Sequence, residues 1–427
     1  IVHMAPGAGA EDFRRGQELG LDVIAPLDEF GHFKDGFLWL EGKDVVEATD
    51  PIIANLKERD RFYHVEPYLH RYPVCWRCDT ELVFRLVDEW FISMDELRPQ
   101  MIEVTGRINW VPGFGLDREL DWLRNMHDWM ISKKRYWGLA LPIYKCRSCG
   151  RVDVIGSETE LERRAVTGWK EFEGHSPHRP WLDAVKIACS ECGEMVSRIS
   201  DVGTPWLDAG IVPFSTIGYR KDREYWSKWF PADWISESFP GQFRNWFYSL
   251  LVMSVALEQT EPFRNVFTYA LLRDEHGAEM HKSKGNAIWF DEAADKMGVD
   301  VMRWMYVRHN PANNLSFGYA AGDDVRRLFL IPLWNVYSFF VTYANLDGWS
   351  PGKGHAYSQD NLLENDLDRW VISELNVLVV SMTKSLDDWR PAEAARAAES
   401  FVDRLSNWYV RRSRRRFWKS ESDSDKE

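Results

Sequence analysis

The sequence predicts an α/β protein built on a parallel sheet, carrying a zinc-knuckle insertion and ending in an α-helical bundle. Three observations carry that prediction. The stretch DWISES (233–238), the apolar run FRNWFYSLLVMSVALEQ (243–259) and RNVFTYALL (264–272) read as strand, helix, strand; in that length they form one βαβ unit with a right-handed crossover. All 6 cysteines fall into C-x-x-C pairs, Cys75/Cys78, Cys146/Cys149 and Cys189/Cys192. Near the C-terminus, Ala394, Ala395, Ala398, Phe401, Val402, Leu405, Trp408 and Tyr409 recur at helical spacing behind Pro391, and Leu367, Trp370, Val371, Leu375, Leu378 and Val379 do the same before them.

In chain order, IVHMAPG is a strand-like run that enters a turn at Pro6 and Gly7 without a start methionine or helix cap, so the chain is expected to begin inside a domain. Short strands and helices then alternate to about Arg61, with VVEATDPIIANLKERDRF as a helix. From Trp110 to Ser215 the reading is a helix through LDWLRNMHDWM, the paired cysteines, and a turn-rich stretch GTPWLDAG. After the βαβ unit comes a loop, then a helix AADKMGVDVMRWM, and from about residue 316 a bundle that includes VRRLFLIPLWNVYSFFVTYANL. The segment LDGWSPGKGHAYSQDN is a linker within it.

Two C-x-x-C knuckles brought together close a four-thiolate structural zinc site, and Cys146, Cys149, Cys189 and Cys192 are the natural couple. Cys75 and Cys78 are then expected to share a metal with a knuckle outside this chain. Disulfides are the alternative. The length, the lack of a signal peptide and the lack of a long apolar run set the expectation of a cytoplasmic protein with no membrane association, in which thiolates bind metal. Four filled ligand positions also make the metal a folding device, because a catalytic zinc keeps one position open.

The net charge of -13 excludes bulk attraction to nucleic acid, so any polyanion must be met by a local patch. RRSRRRFWK supplies one, with Arg411, Arg412, Arg414, Arg415, Arg416 and Lys419. A second cationic feature is the loop RDEHGAEMHKSKGNAI at the carboxyl end of the second strand, where ligands bind in parallel sheets. Lys282, Ser283 and Lys284 stand there beside His281 and Asn286, and Gly285 permits close approach of a phosphate.

MHKSKGN resembles the KMSKS signature of class I aminoacyl-tRNA synthetases, with Met280, Lys282 and Ser283 matching, Glu279 in place of the first lysine and His281 in place of the first serine. YPVCWRCDT, ISKKRYWGLALPIY, WLDAG with QFRNWF, and NWYVRRSRRRFW narrow the resemblance to the isoleucyl-tRNA synthetases, over essentially the whole chain. Gly241 replaces an aspartate of that pattern, and Glu237 is one residue out of register with its glutamate. The resemblance implies a Rossmann-type catalytic half that activates isoleucine with ATP and Mg²⁺ and transfers it to tRNA(Ile), with Zn²⁺ as a structural metal and a monomeric state. It implies catalytic roles for Lys282, Ser283 and His281, and ATP contacts from Lys282, Lys284, Gly285, Asn286 and Gln242. Trp137, Trp206, Asp208 and Gln242 would form the amino-acid pocket. IVHMAPGAGAEDF is similar to a segment of the family's β-rich editing domain, which gives His3 and Asp12 roles in hydrolysing mischarged valyl-tRNA, and the arginine run is assigned to tRNA.

The implied domains are residues 1–65 (end of the editing domain), 66–315 (second catalytic half, with the zinc insertion at about 144–195) and 316–427 (start of the anticodon-binding region). No H-x-G-H occurs, so the chain is expected to be the middle of a larger synthetase that is inactive alone. The rival readings are a valyl- or leucyl-tRNA synthetase and a non-catalytic, synthetase-derived zinc-ribbon module that binds tRNA.

Overall fold

The structure, a computed structural model, describes residues 4–75, 78–350 and 365–419. The chain divides into two compact units, residues 1–90 and 91–427.

In the first unit, α1 (Ala10–Glu18) and α2 (Thr49–Glu58) are the regular elements. The strands expected before Arg61 are reduced to isolated bridges, Leu27 with Phe33 and His32 with Asp44. Asp28 organises this stretch by accepting the N–H groups of Phe30 and His32.

The second unit begins with α3 (Arg98–Thr105), β1 (Asn109–Val111) and α4 (Phe114–Asn125). The α4 helix stops five residues before the end of the expected LDWLRNMHDWM segment. Arg98 draws the carbonyls of Leu123 and Met126 onto its guanidinium at 3.2 and 2.6 Å, and the Asp128 carboxylate takes the Met94 N–H. Those contacts hold the chain extended so that Trp129–Met130 pairs with Phe91–Ile92.

The insertion follows as five short strands: β2 (Ile143–Lys145), β3 (Val152–Val154), β4 (Ala165–Thr167), β5 (Lys186–Ala188) and β6 (Met195–Ser197). They pair antiparallel as β2 with β3 and in the order β4-β5-β6, around a small core of Tyr144, Phe172, Leu182, Val185 and Ile187. The stretch GTPWLDAG is not a turn but the start of a helix, α5 (Pro205–Ser215). Pro205 occupies the first turn, where its missing N–H costs nothing, and Trp206 and Leu207 are drawn onto the main core.

The expected βαβ unit is present: β7 (Ile235–Ser238), α6 (Trp246–Glu258) and β8 (Asn265–Tyr269). β8 lies between β7 and β1, parallel to both, with Ile235 opposite Val266 and Asn265 opposite Asn109. α6 buries eight side chains from Phe247 to Val255, which explains its apolar all-round composition. Trp110, Phe243, Phe247 and Phe263 meet at ring separations of 5.9 to 6.4 Å and form the centre of the core.

The segment AADKMGVDVMRWM is two helices, α7 (Phe290–Met297) and α8 (Val299–Arg308), because Gly298 takes φ +91 between them. The C-terminal bundle contains α9 (Ile331–Leu346), α10 (Asp366–Asp387) and α11 (Pro391–Arg404), and α11 continues through a π-helical segment Leu405–Val410 into α12 (Arg411–Trp418). Pro391 does open its helix, and Ala394, Ala395, Ala398, Phe401 and Val402 are buried as expected. The expected stripe fails at Trp408, where burial passes across the widened turn to Tyr409 and Ser413. It fails also on α10, where Leu375 and Val379 are exposed. Most of the expected linker, from residue 351, lies outside the described residues.

Candidate functional site

Two turns leave the carboxyl edge of the parallel sheet, the position that parallel topology leaves open for ligands. The first follows β7. Its Gln242 side-chain oxygen accepts the Trp246 N–H at 3.2 Å and so caps α6, which places Gln242 at the sheet edge but gives it a structural duty. Tyr269 at the end of β8 donates to Glu237 at 3.4 Å, tying the two strand ends together.

The second turn is the lysine loop. Met280 and Ile288 pack on the core formed by Ala293, Met297 and Val301, so the loop is anchored at both ends. Asn286 closes it: its amide donates to the Asp274 carboxylate at 2.9 Å and to the Glu279 carbonyl at 3.0 Å, and its oxygen accepts the His281 N–H at 2.9 Å. The Asn286 amide in turn holds the Asp274 carboxyl below its ordinary pKa. Gly285, at φ +71, ends a single 3-10 turn Lys282–Lys284. Lys282 and Lys284 are exposed, and the Lys282 ammonium lies 4.4 Å from the Trp289 ring centroid. Glu279 sits 3.5 Å from Arg273 and 3.6 Å from His281, so the residue in the first-lysine position is an anionic brace of the loop. Asn286 is likewise a fastener of this loop. The structure places the Ser283 backbone in the 3-10 turn.

Trp206 and Asp208 project from the first turns of α5, and partial desolvation of the otherwise exposed Asp208 carboxyl raises its pKa above the ordinary value, with an opposing pull from His178. The His178 ring stacks on Trp137 at 5.6 Å and 21°. His178 therefore joins Trp137 and Asp208 in one neighbourhood, a role that sequence reasoning missed because HSPHRP has no periodicity to mark it.

The Sγ atoms of Cys146, Cys149, Cys189 and Cys192 lie within 4.8 Å of one another. Both knuckles have one geometry: the first cysteine's N–H donates to the residue five positions on, and its carbonyl accepts the N–H of a glycine, Gly150 or Gly193, at φ +77 and +76. Backbone N–H groups of Cys192 and Glu191 bring the Cys189 thiol down to about 7, and the N–H of Cys149 lowers Cys146. A tetrahedral metal with bonds of about 2.3 Å needs sulfurs roughly 3.8 Å apart; Cys146 with Cys192 at 3.5 Å and Cys149 with Cys189 at 3.6 Å fit such an ion. Cys75 repeats the knuckle with Asp79 at φ +57 in the glycine's place, and Cys78 lies 3.2 Å from the Thr80 hydroxyl. Among the described residues no third ligand joins Cys75 and Cys78.

The remaining assignments are dispersed. His3 lies outside the described residues, and Asp12 accepts the Ala5 N–H at 3.0 Å, closing the turn before α1. In the basic run, Arg416 is not available to an outside anion: both its terminal nitrogens donate to the Asp368 carboxylate at 2.8 Å, bracing α12 on α10. Arg412 lies over the Trp408 ring at 4.5 Å and Arg414 over Phe339 at 5.9 Å, while Arg411 and Arg415 are exposed.

Residues 29–317 match the family of tRNA synthetases class I (I, L, M and V), and residues 368–427 match the anticodon-binding domain of tRNA ligase. The whole chain is 40% identical to an isoleucine–tRNA ligase of Dehalococcoides mccartyi, 39% to one of Clostridium tetani and 37% to one of Methanothermobacter thermautotrophicus. It spans 42, 40 and 40% of their respective lengths. The methionyl-tRNA synthetase of Mycobacterium tuberculosis, solved with methionyl-adenylate, shares the fold over 97% of this chain and 72% of its own at a TM-score of 0.57 and 17% identity. Among the described residues no helix is long and apolar enough to cross a membrane.

Proposed function

We propose, for a chain that belongs to the class I tRNA synthetases of the I, L, M and V group, that the full-length protein is an isoleucine–tRNA ligase. The observation that carries this reading is sequence identity of 36 to 40% along the entire chain with proteins named isoleucine–tRNA ligase. In this reading an isoleucine carboxylate oxygen bonds to the α-phosphorus of ATP as the bond to the β-phosphate oxygen breaks. Pyrophosphate leaves, and the isoleucyl group then passes to the terminal adenosine of tRNA(Ile).

Charge builds on the leaving phosphates, and Lys282 and Lys284 are the cations at the sheet edge free to follow it. Ser283 and His281 would add hydrogen bonds there, and Gly285 leaves room for the nucleotide. Mg²⁺ bound to the nucleotide would share that charge. Trp137 and Trp206 would wall an apolar slot for the branched side chain, with Asp208 as the anionic partner of the ammonium group and Gln242 at its rim. Zn²⁺ would be held by Cys146, Cys149, Cys189 and Cys192 to fix the insertion, and Cys75 and Cys78 would supply half of a second site.

His3 and Asp12 would serve editing, which the side-chain slot needs because an apolar pocket rejects a substrate one methylene smaller only weakly, a limit for which isoleucyl-tRNA synthetases are themselves the standard illustration. Residues 1–65 would then close the editing domain, 66–315 form the second catalytic half and 316–427 open the anticodon-binding region, in a monomeric cytoplasmic enzyme. Arg411, Arg412, Arg414 and Arg415 would meet tRNA phosphates. Pyrophosphate exchange by the full-length protein should depend on isoleucine. Exchange driven by leucine, or by valine in preference to isoleucine, would replace this reading with that of a sister enzyme.

A further inference from the structure

The stretch from Ser176 to Pro180, between β4 and β5 of the zinc-knuckle insertion, is laid along residues 135–140, the segment that carries Trp137. The contacts between the two run in step. The Pro177 carbonyl accepts the Ala140 N–H at 3.2 Å, His178 forms a backbone bridge with Leu139, and the His178 ring stacks on Trp137. Arg179 donates to the Arg135 carbonyl at 3.4 Å and places its guanidinium 5.0 Å from the Tyr136 ring centroid. Gly138 seats the same segment from the other side: at φ +150 it approaches Val202 so closely that a Cβ would fall 2.9 Å from that side chain. The backbone around Trp137 is therefore fixed. Its side chain is not fixed by core packing, since Trp137 is 72% exposed.

What orients the ring is His178, half-buried, tethered by its backbone bridge and engaged at Nδ1 with the Ser176 hydroxyl 3.0 Å away. A free tryptophan ring would have to be ordered each time a ligand packed against it, whereas a ring already stacked on a tethered partner meets the ligand without that cost. We propose that His178 is a positioning residue for the amino-acid substrate: by stacking on Trp137 it holds that ring as a wall of the isoleucine slot, which makes the zinc-knuckle insertion a determinant of amino-acid affinity. The proposal rests on the reading of Trp137 as a wall of that slot. The role is one of orientation, because the imidazole face is taken by Trp137 and Nδ1 by Ser176.

The test is isoleucine-dependent pyrophosphate exchange by the full-length protein. His178→Ala should raise the KM for isoleucine about 2- to 10-fold, the range an aromatic pair contributes beyond its buried area, with kcat and the KM for ATP little changed. His178→Phe keeps a ring to stack and should recover most of the affinity. In a double-mutant cycle, His178→Ala should add little to the effect of Trp137→Ala, because it acts only through that ring. Should His178→Ala fail to fold, His178→Leu, which fills the space without an aromatic face, takes its place in the same comparisons. The proposal is overturned if the KM for isoleucine is unchanged, if the KM for ATP rises equally, if His178→Phe is as weak as alanine, or if the two substitutions add in full. A Trp137→Ala protein with an unaltered KM for isoleucine would overturn the underlying reading of the slot as well.

Discussion

Gly210 offers the sharpest test of how the fold supports the site. It lies midway along α5, where a Cβ would fall 2.6 Å from the Ser249 carbonyl oxygen, 2.9 Å from its carbon and 3.0 Å from its own Cβ. Ser249 belongs to α6 and is completely buried, so the group that would be struck is helix backbone in the core. Two effects oppose each other in Gly210→Ala. Alanine in a helix gains about 1 kcal/mol over glycine, whereas overpacking a core costs about 1 to 3 kcal/mol. Restoring ordinary contact requires α5 and α6 to part by roughly 0.8 Å, and no side-chain rotation can absorb that, so the packing cost wins. With a backbone clash placing the packing cost in the upper part of that range, about 2 to 3 kcal/mol, the expected net loss is about 1 to 2 kcal/mol. It should appear as a lower urea midpoint for the unit spanning residues 91–427, followed by circular dichroism, with the slope unchanged. On the proposed role of Trp206 in the isoleucine slot, one turn earlier on α5, the full-length Gly210→Ala protein should also show a raised KM for isoleucine with a smaller change for ATP. A midpoint equal to or above that of the unaltered protein would refute the reasoning, since it would mean that helix propensity outweighs the clash.

Three further outcomes are expected. Cys146→Ser should lose one full equivalent of zinc by metal analysis, and unchanged metal content would remove the four-cysteine assignment. Lys282→Ala in the full-length enzyme should slow adenylate formation about a hundredfold or more with little change in apparent ATP affinity; normal pyrophosphate exchange, or rescue by added ATP, would reduce the loop to scaffold. Glu119 is fully buried on α4 with neither carboxylate oxygen bonded, and burial holds its pKa well above the ordinary 4.5. The folded state therefore keeps a proton that the unfolded chain releases, so Glu119's own contribution to stability is fully present below about pH 4.5 and is lost as pH rises toward the folded pKa. Glu119→Gln should remove that decline, its advantage in urea midpoint growing from pH 4.5 upward, and a pH-independent difference would show that Glu119 does not titrate this way.

What was legible in the sequence follows a physical division. The βαβ unit, the four-cysteine cluster and the buried face of α11 are written in spacing, because a pleat, a metal and a helix each impose a period on the residues they use. The failures occur where a remote contact overrides local pattern. Nothing within LDWLRNMHDWM shows that Arg98 will claim its last carbonyls, and only the core explains why GTPWLDAG winds into a helix. Arg416 reads as one more cation in a run, yet Asp368, far away in sequence, makes it a brace. The exit of Trp408 from its stripe depends on one widened turn, which composition does not encode.

The lysine loop shows how such remote contacts divide labour within one short segment. Met280, Asn286 and Ile288 fix its path, and Glu279 braces it through Arg273 and His281, so the backbone around Lys282 has little freedom to lose on binding. What stays adjustable is the ammonium group itself, resting on Trp289. A cation on an exposed aromatic face is held by about 0.5 to 1 kcal/mol, whereas hydrogen bonds to charged groups contribute about 1.5 to 3 kcal/mol. A triphosphate arriving at the sheet edge would therefore draw Lys282 off the ring without moving the loop. Trp289→Ala should accordingly leave the loop's fold intact and alter only where Lys282 rests before nucleotide binds. Glu279, where the resemblance expects a lysine, instead braces the loop through Arg273 and His281, and the cation proposed to follow the phosphates is Lys282, three residues further on.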